Sequence, residues 1–188
     1  MLYVLFIVHT HMHTWNIDTA HSVIGFKVKH LKVSTVRGSF GEFTGSVMSP
    51  DDTFTQSQVT FSAQTKSIYT NNEMRDNHLR AADFFESEKF PTISFTSTQV
   101  TQIDENNFTL TGDLTIKGIS KSVALSVVFD GVGYDTKGQR VAGFDLTGRI
   151  NRKDFGLTWN VALETGGVMV SDEVDIDIHI EAIEEKAS

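Results

Sequence analysis

The 188-residue sequence predicts an all-β protein, an extended eight-stranded antiparallel barrel with a short helix between strands 3 and 4. Three observations carry that expectation. Apolar and polar residues alternate with period two in segment after segment, the pattern of strands wet on one side only. Phe and Gly number 14 each against 2 Pro, a balance that suits long strands bent at glycines better than a helical bundle. Most connections are short and rich in turn residues, so neighbouring strands run antiparallel.

The first strand sets Ile24, Phe26 and Val28 against Lys27 and Lys29. The second, Val36 to Val47, is punctuated by Gly38, Gly41 and Gly45, which predicts a bulge or sharp bend. Ser49 to Thr53, with Pro50, forms a turn, and the third strand places Val59, Phe61 and Ala63 on one side. Between Thr70 and Phe85 the alternation stops. Thr70 followed by Glu73 reads as a capping box, and Met74, His78, Ala81, Ala82 and Phe85 share one helical face. Pro91 returns the chain to a fourth strand with Ile93 and Phe95. The fifth aligns Phe108, Leu110, Gly112, Leu114 and Ile116, and the sixth Val123, Leu125, Val127 and Phe129. After a longer turn from Gly131 to Gln139, the seventh carries Ala142, Phe144, Leu146 and Ile150. The eighth interleaves Val174, Ile176, Ile178, Ile180 and Ala182 with Glu173, Asp175, Asp177, His179 and Glu181.

Length and composition bound the function. One domain, 15–188, follows a leader at 1–14. With 16 Lys and Arg against 24 Asp and Glu, the net charge is −8, which repels phosphate backbones and excludes nucleic acid as the expected partner. The absence of Cys removes disulfides, thiol nucleophiles and Cys-ligated metals. Leu2 to Val8 is apolar but too short to span a bilayer, and it lacks the basic start and small-residue cleavage site of a signal peptide. The sequence as written therefore predicts a cytoplasmic protein with no membrane span; a true start carrying a signal peptide would make it periplasmic. His9, His11 and His13 alternate and on a strand would share a face able to bind a metal, although a frayed polar leader is the simpler reading and no metal or cofactor is expected.

Eight half-apolar strands bury their apolar side best by closing, which also removes exposed edges. A barrel of this size is either plugged by its own side chains or holds one small ligand, and the pattern alone leaves the two open.

The stretch WNIDTAHSVIGFKVKHLKVSTVRGSFGEFTG from Trp15 resembles the start of the YceI-like family of bacterial lipocalin-like proteins. Asn71 to Thr98, TGDLTIKGISKSVALSV (Thr111 to Val127) and INRKDFGLTWN (Ile150 to Asn160) resemble its later blocks in order and spacing. The resemblance spans about Trp15 to Ile183. It implies a lipocalin-like barrel, a homodimer, and a hollow interior that holds a polyisoprenoid or similar long-chain amphiphilic lipid, such as an isoprenoid quinone or prenyl phosphate, as carrier, store or sequestering protein.

Ile24, Phe26, Val28, Phe61, Phe95, Leu110, Leu125, Phe144, Leu146, Ile176 and Ile178 are the lining candidates, each on its strand's apolar face. Burying one five-carbon isoprene unit is worth about 4 kcal/mol, so a few units outweigh the cost of association and the tail needs no polar recognition. A polar head group would need donors at one mouth, for which Arg75, His78 and Arg80 are the candidates; an Arg–Asp surface network with Asp76 and Asp83 is the competing assignment. An enzyme acting on a lipid held in the barrel (isomerase, cyclase or hydrolase) and a structural domain with a filled core are the alternatives. No nucleophile elbow, metal-spaced cluster or paired carboxylate stands out, and no catalytic residue is expected. His21 and Ser22 are read as fixing the turn into the first strand, and His30 as a satisfied residue at its end.

Overall fold

The computed structural model describes residues 12–162 and 168–186, so the Leu2 to Val8 run, His9 and His11 lie outside the described residues. In chain order the strands are β1 (His13–Ile17), β2 (Val23–His30), β3 (Ser34–Phe40), β4 (Phe43–Ser49), β5 (Gln58–Gln64) and β6 (Ile68–Tyr69). The helix α1 (Glu73–Arg80) follows, then β7 (Thr92–Gln102), β8 (Asn107–Ile116), β9 (Ile119–Tyr134), β10 (Arg140–Asn151) and β11 (Val170–Glu184).

These segments make a closed antiparallel barrel of eight staves. β11 pairs with β10 along one edge, and along the other with β2 and then β1, so the last stave meets the first and no outer edge remains at the seam. Three staves are each built from two segments: β1 with β2, β3 with β4, and β5 with β6. Their breaks lie side by side. An Asp18 turn, in which Ala20 N–H donates to Asp18 Oδ1, interrupts the first. Gly41 interrupts the second and donates its N–H to Ser67 O in the 3-10 turn Thr65–Ser67 that interrupts the third. The bend expected from the glycines of the second strand is this break between Phe40 and Phe43.

The period-two face decides the inside. Phe108, Leu110, Leu114 and Ile116 are buried on β8, as are Leu125 and Val127 on β9 and Ala142 on β10. Charged residues of the same strands, among them Asp113, Lys121 and Arg149, point out. Gly112 holds its inward position for a steric reason: a Cβ there would sit 2.4 Å from the Phe95 ring and 2.5 Å from the Thr96 carbonyl. Gly38 likewise makes room for the Phe26 ring, 2.4 Å from where its Cβ would stand.

One barrel end is closed by aromatic packing. Trp15 is fully buried; its ring lies 5.5 Å from Phe54, which in turn contacts Phe129 and Phe144 at 5.1 Å each. Arg140 covers Trp15 from outside and forks between Glu184 (2.9 Å) and Asp52 (2.6 Å). The other end carries the β2–β3 turn, α1, the β8–β9 turn at Lys117-Gly118 and the segment following β10. Among the described residues no helix is long and apolar enough to cross a membrane.

Three local expectations are corrected. The helix cap is Asn72, whose side chain accepts from Arg75 N–H at 3.0 Å; Thr70 lies before it and bonds the Asp76 carboxylate instead. The helix stops at Arg80, so Ala81, Ala82 and Phe85 are not on its face, and Met74 is 83% exposed. Gly131, at φ 111°, is part of a β-bulge rather than the start of a loop, which lets β9 run on to Tyr134 and shortens the turn to Asp135–Gln139.

Candidate functional site

The barrel interior is not filled. A cavity of about 650 Å³ extends from the aromatic floor, where Phe54 and Val47 line it, to the end capped by α1. Its wall is almost wholly apolar, and every stave contributes to it. The size falls within the range of small-molecule sites, and the apolar lining suits a hydrocarbon.

Ile24, Phe26 and Val28 on β2, Phe61 on β5, Phe95 on β7, Leu110 on β8 and Leu125 on β9 all line this cavity. So do Phe144 and Leu146 on β10 and Ile176 and Ile178 on β11. Phe95, Leu110 and Leu125 are buried, whereas Phe26, Phe61, Phe144, Leu146, Ile176 and Ile178 are partly buried and pack against that core.

Polar groups gather at the capped end. Arg75 donates from Nε to Thr70 Oγ1 and from Nη2 to Thr70 O, both at 2.7 Å. Thr70 Oγ1 in turn donates to the buried Asp76 carboxylate. Arg75 has no carboxylate in ion-pair reach among the described residues, and no hydrogen bond there engages its Nη1. His78 also lines the mouth. Its Nε2 lies 3.1 Å from Asp83 Oδ2, and its ring stands edge-on to Trp159 at 4.8 Å and to Phe84 at 5.1 Å. His30, at the end of β2, also lines the cavity at this end.

Arg80 does not reach the cavity. Nε donates to Lys66 O (2.7 Å), Nη2 to Ile68 O (2.8 Å) and Nη1 to Asn77 Oδ1 (3.0 Å), so it fastens α1 to the 3-10 turn and β6. The Arg–Asp network is not formed either: Asp76 serves Thr70, and Asp83 serves His78.

The sequence reading missed the lid over the mouth. Leu79, Phe84 and Phe85 from the helical segment, and Leu157 and Trp159 beyond β10, line the cavity there. Arg152, 3% exposed, organises the second group by donating to the carbonyls of Ser171 (2.9 Å), Leu157 and Trp159 (2.8 Å). Burial pulls its guanidinium below the usual range, and the neighbouring Asp172 opposes that pull. Leu157 and Trp159 two residues apart were a legible apolar alternation; a buried arginine had no local signal.

A second polar cluster lies outside the lining. His21 Nδ1 is 2.8 Å from Asp18 Oδ2 and 3.5 Å from Glu181 Oε1, and 66% of its side chain is exposed. The hydrogen bond that His21 donates to the Asp18 carboxylate raises the His21 pKa, and the same bond lowers that of Asp18. Ser22 Oγ donates to Glu181 O and accepts from Glu181 N–H, so it is held as a backbone bridge between β2 and β11. The Asp18, His21 and Glu181 side-chain atoms lie within 4.8 Å of one another, with the His21 Nδ1 hydrogen-bonded to Asp18.

A profile of the YceI-like domain matches residues 15–182. The UPF0312 protein SA2479 of Staphylococcus aureus (strain N315) is 42% identical over 171 residues, covering 90% of this chain and 97% of that relative. The crystal structure of the Campylobacter jejuni YCEI protein superposes with a TM-score of 0.73 at 31% identity, covering 99% of both chains. A polyisoprenoid binding domain from Saccharophagus degradans, implicated in plant cell wall breakdown, shares the fold at a TM-score of 0.65 and 13% identity, over 91% of this chain and 98% of that one. With the profile spanning nearly the whole described barrel, the chain belongs to the YceI-like domain family.

Proposed function

We propose that the protein binds one long-chain isoprenoid or similar amphiphilic lipid, tail inward, and carries or stores it unmodified. The observation that carries this reading is the cavity of about 650 Å³ inside the barrel with apolar lining from every stave. Each buried isoprene unit contributes about 4 kcal/mol, and the Phe54 floor limits the length of tail that fits. The polyisoprenoid binding named for the Saccharophagus degradans domain of the same fold supports the choice of ligand class.

The head group sits at the α1 end. Arg75, with its Nη1 uncommitted, is the donor for an oxyanion or carbonyl oxygen, and His78 stands beside it on the same helix. Asp76 and Thr70 hold the arginine in place from behind, so its orientation is set before the lipid arrives.

Titration with a fluorescent long-chain lipid tests the proposal. Wild-type protein gives a saturable one-to-one site, and Ile176→Trp, which pushes an indole into the cavity, abolishes it while far-ultraviolet circular dichroism stays that of a folded barrel. Native mass spectrometry of protein purified with its lipid recovers the ligand chemically intact. The absence of a saturable site in wild type, or binding indifferent to Ile176→Trp, refutes the proposal; stoichiometric recovery of an altered lipid refutes passive carriage.

A further inference from the structure

We infer that the β2–β3 hairpin is a docking element for an anionic lipid bilayer, setting the mouth of the cavity against the membrane surface. The inference rests on the lipid-binding reading for its purpose, but its evidence lies in other residues.

The first observation is charge. The chain carries a net −8, yet the outward face of this hairpin presents Lys27 directly across from Arg37, Lys29 across from Thr35, and Lys32 at the tip. Lys27 is paired with Asp177 at 2.7 Å. Lys29 Nζ donates to the Thr35 hydroxyl, and Lys29, Lys32 and Arg37 have no carboxylate within ion-pair distance among the described residues. Of the acids on the neighbouring part of β11, Asp172 is held by Lys153 (2.8 Å), Glu173 and Asp175 by Arg149 (3.3 and 2.6 Å), and Asp177, paired with Lys27, is the one that also feels the Arg37 charge. A local cationic patch on an acidic protein fits an anionic surface.

The second observation is the tip. Leu31 is 39% and Val33 85% exposed, two large apolar side chains flanking Lys32. Leu31 and Lys32 both hold left-handed backbone, at φ 53° and 60°, a conformation that non-glycine residues adopt at a cost. Val33 N–H donates to His30 O, and Leu31 N–H donates to Met169 O, so the exposed turn is tied down. Apolar side chains held out in water between lysines are the composition of a segment that inserts at a membrane interface.

The third observation is position. β3 pairs with β2 along its length, but on its other edge pairs with β6 only at Ser39 and Phe40, so Ser34 to Gly38 form no ladder there. Val36 on that edge and Met74 and Arg75 on α1 line the cavity, and Met74 is 83% exposed. A stretch of wall not sealed by a ladder therefore adjoins the cationic hairpin. A lipid leaving a bilayer there passes between β3 and α1 without crossing water.

Vesicle flotation tests this. Wild-type protein floats with vesicles of phosphatidylcholine containing one part in three phosphatidylglycerol, stays down with phosphatidylcholine alone, and is released by high salt. Lys29→Gln and Lys32→Gln each weaken partitioning roughly fivefold, and Val33→Asp removes flotation. None of these side chains lines the cavity, so all three variants keep wild-type affinity in the vesicle-free lipid titration. Wild type that takes up the lipid probe but floats with neither vesicle overturns the docking inference and leaves the cavity reading intact; flotation without probe uptake does the reverse. A wild-type dimer that Val33→Asp splits in analytical ultracentrifugation, with no flotation, assigns the tip to a second copy of this chain and overturns the inference.

Discussion

Phe54 is the stop at the closed end of the cavity, and replacing it with Ala tests whether a lipid tail reaches that far. The ring is 4% exposed, lines the cavity and touches Trp15, Phe129 and Phe144. A buried Phe→Ala change costs about 3–5 kcal/mol through lost transfer energy and the void left behind. Backbone strain does not enter the difference, because Phe54 already sits at φ 55° and Ala meets the same left-handed geometry. For a chain of this length the empty protein loses about 10 °C in Tm. The ring removed has six carbons, about the bulk of one isoprene unit, and burying that unit in the new space returns about 4 kcal/mol. A ligand one unit longer than the wild-type optimum therefore restores nearly all the stability that the substitution removes, while the wild-type ligand leaves the void empty. Thermal melts of wild type and Phe54→Ala with a ladder of isoprenoids differing by one unit read this directly. If the optimum does not move to the longer ligand in a folded Phe54→Ala protein, the tail ends short of the floor and the reasoning fails.

Three further outcomes are expected. Arg75→Gln weakens an anionic-headed lipid by about 10- to 100-fold, the worth of a charged hydrogen bond, and leaves a neutral-headed lipid of equal tail unchanged in the same titration; equal losses for both remove Arg75 from head-group recognition. Arg152→Met strips the donor from three carbonyls and lowers the urea midpoint by the equivalent of about 3–5 kcal/mol at unchanged m, with Trp159 fluorescence shifting to the red; a shift below about 1 kcal/mol shows that the lid holds without it. By NMR, His21 titrates above its ordinary 6.5 and Asp18 below its ordinary 3.8, and Asp18→Asn returns the His21 value toward 6.5. The raised histidine contributes stability that is present below 6.5 and lost as pH rises through its folded value. The depressed aspartate contributes stability that is present above 3.8 and lost as pH falls through its folded value, so the pair supports the turn most between those limits.

The eight-stave wall was legible because strand alternation is a local code. A residue such as Ile176 or Leu125 faces inward by parity alone once its neighbours are polar, and closure of the barrel leaves the apolar side only one place to go. The glycine-marked bend in the second strand was legible for the same local reason. The cap at Asn72 was not, since Thr70-to-Glu73 and Asn72-to-Arg75 are both plausible starts and the competition was decided by Asp76 capturing the Thr70 hydroxyl. Arg80 and Arg75 were indistinguishable as sequence, five residues apart on one short helix; only the docking of that helix directs one toward backbone carbonyls and the other to the cavity mouth.

The amino-acid order by itself determined the barrel, its stave count, which face of each strand is oily and thus which residues line the interior, because period-two patterning is read one residue at a time. Tertiary structure alone decided whether the interior is hollow, where its floor lies and what caps it. Those outcomes depend on how side chains from distant strands, such as Trp15, Phe54, Phe129 and Phe144, divide the enclosed volume, and how much is left over is a property of their sum rather than of any segment.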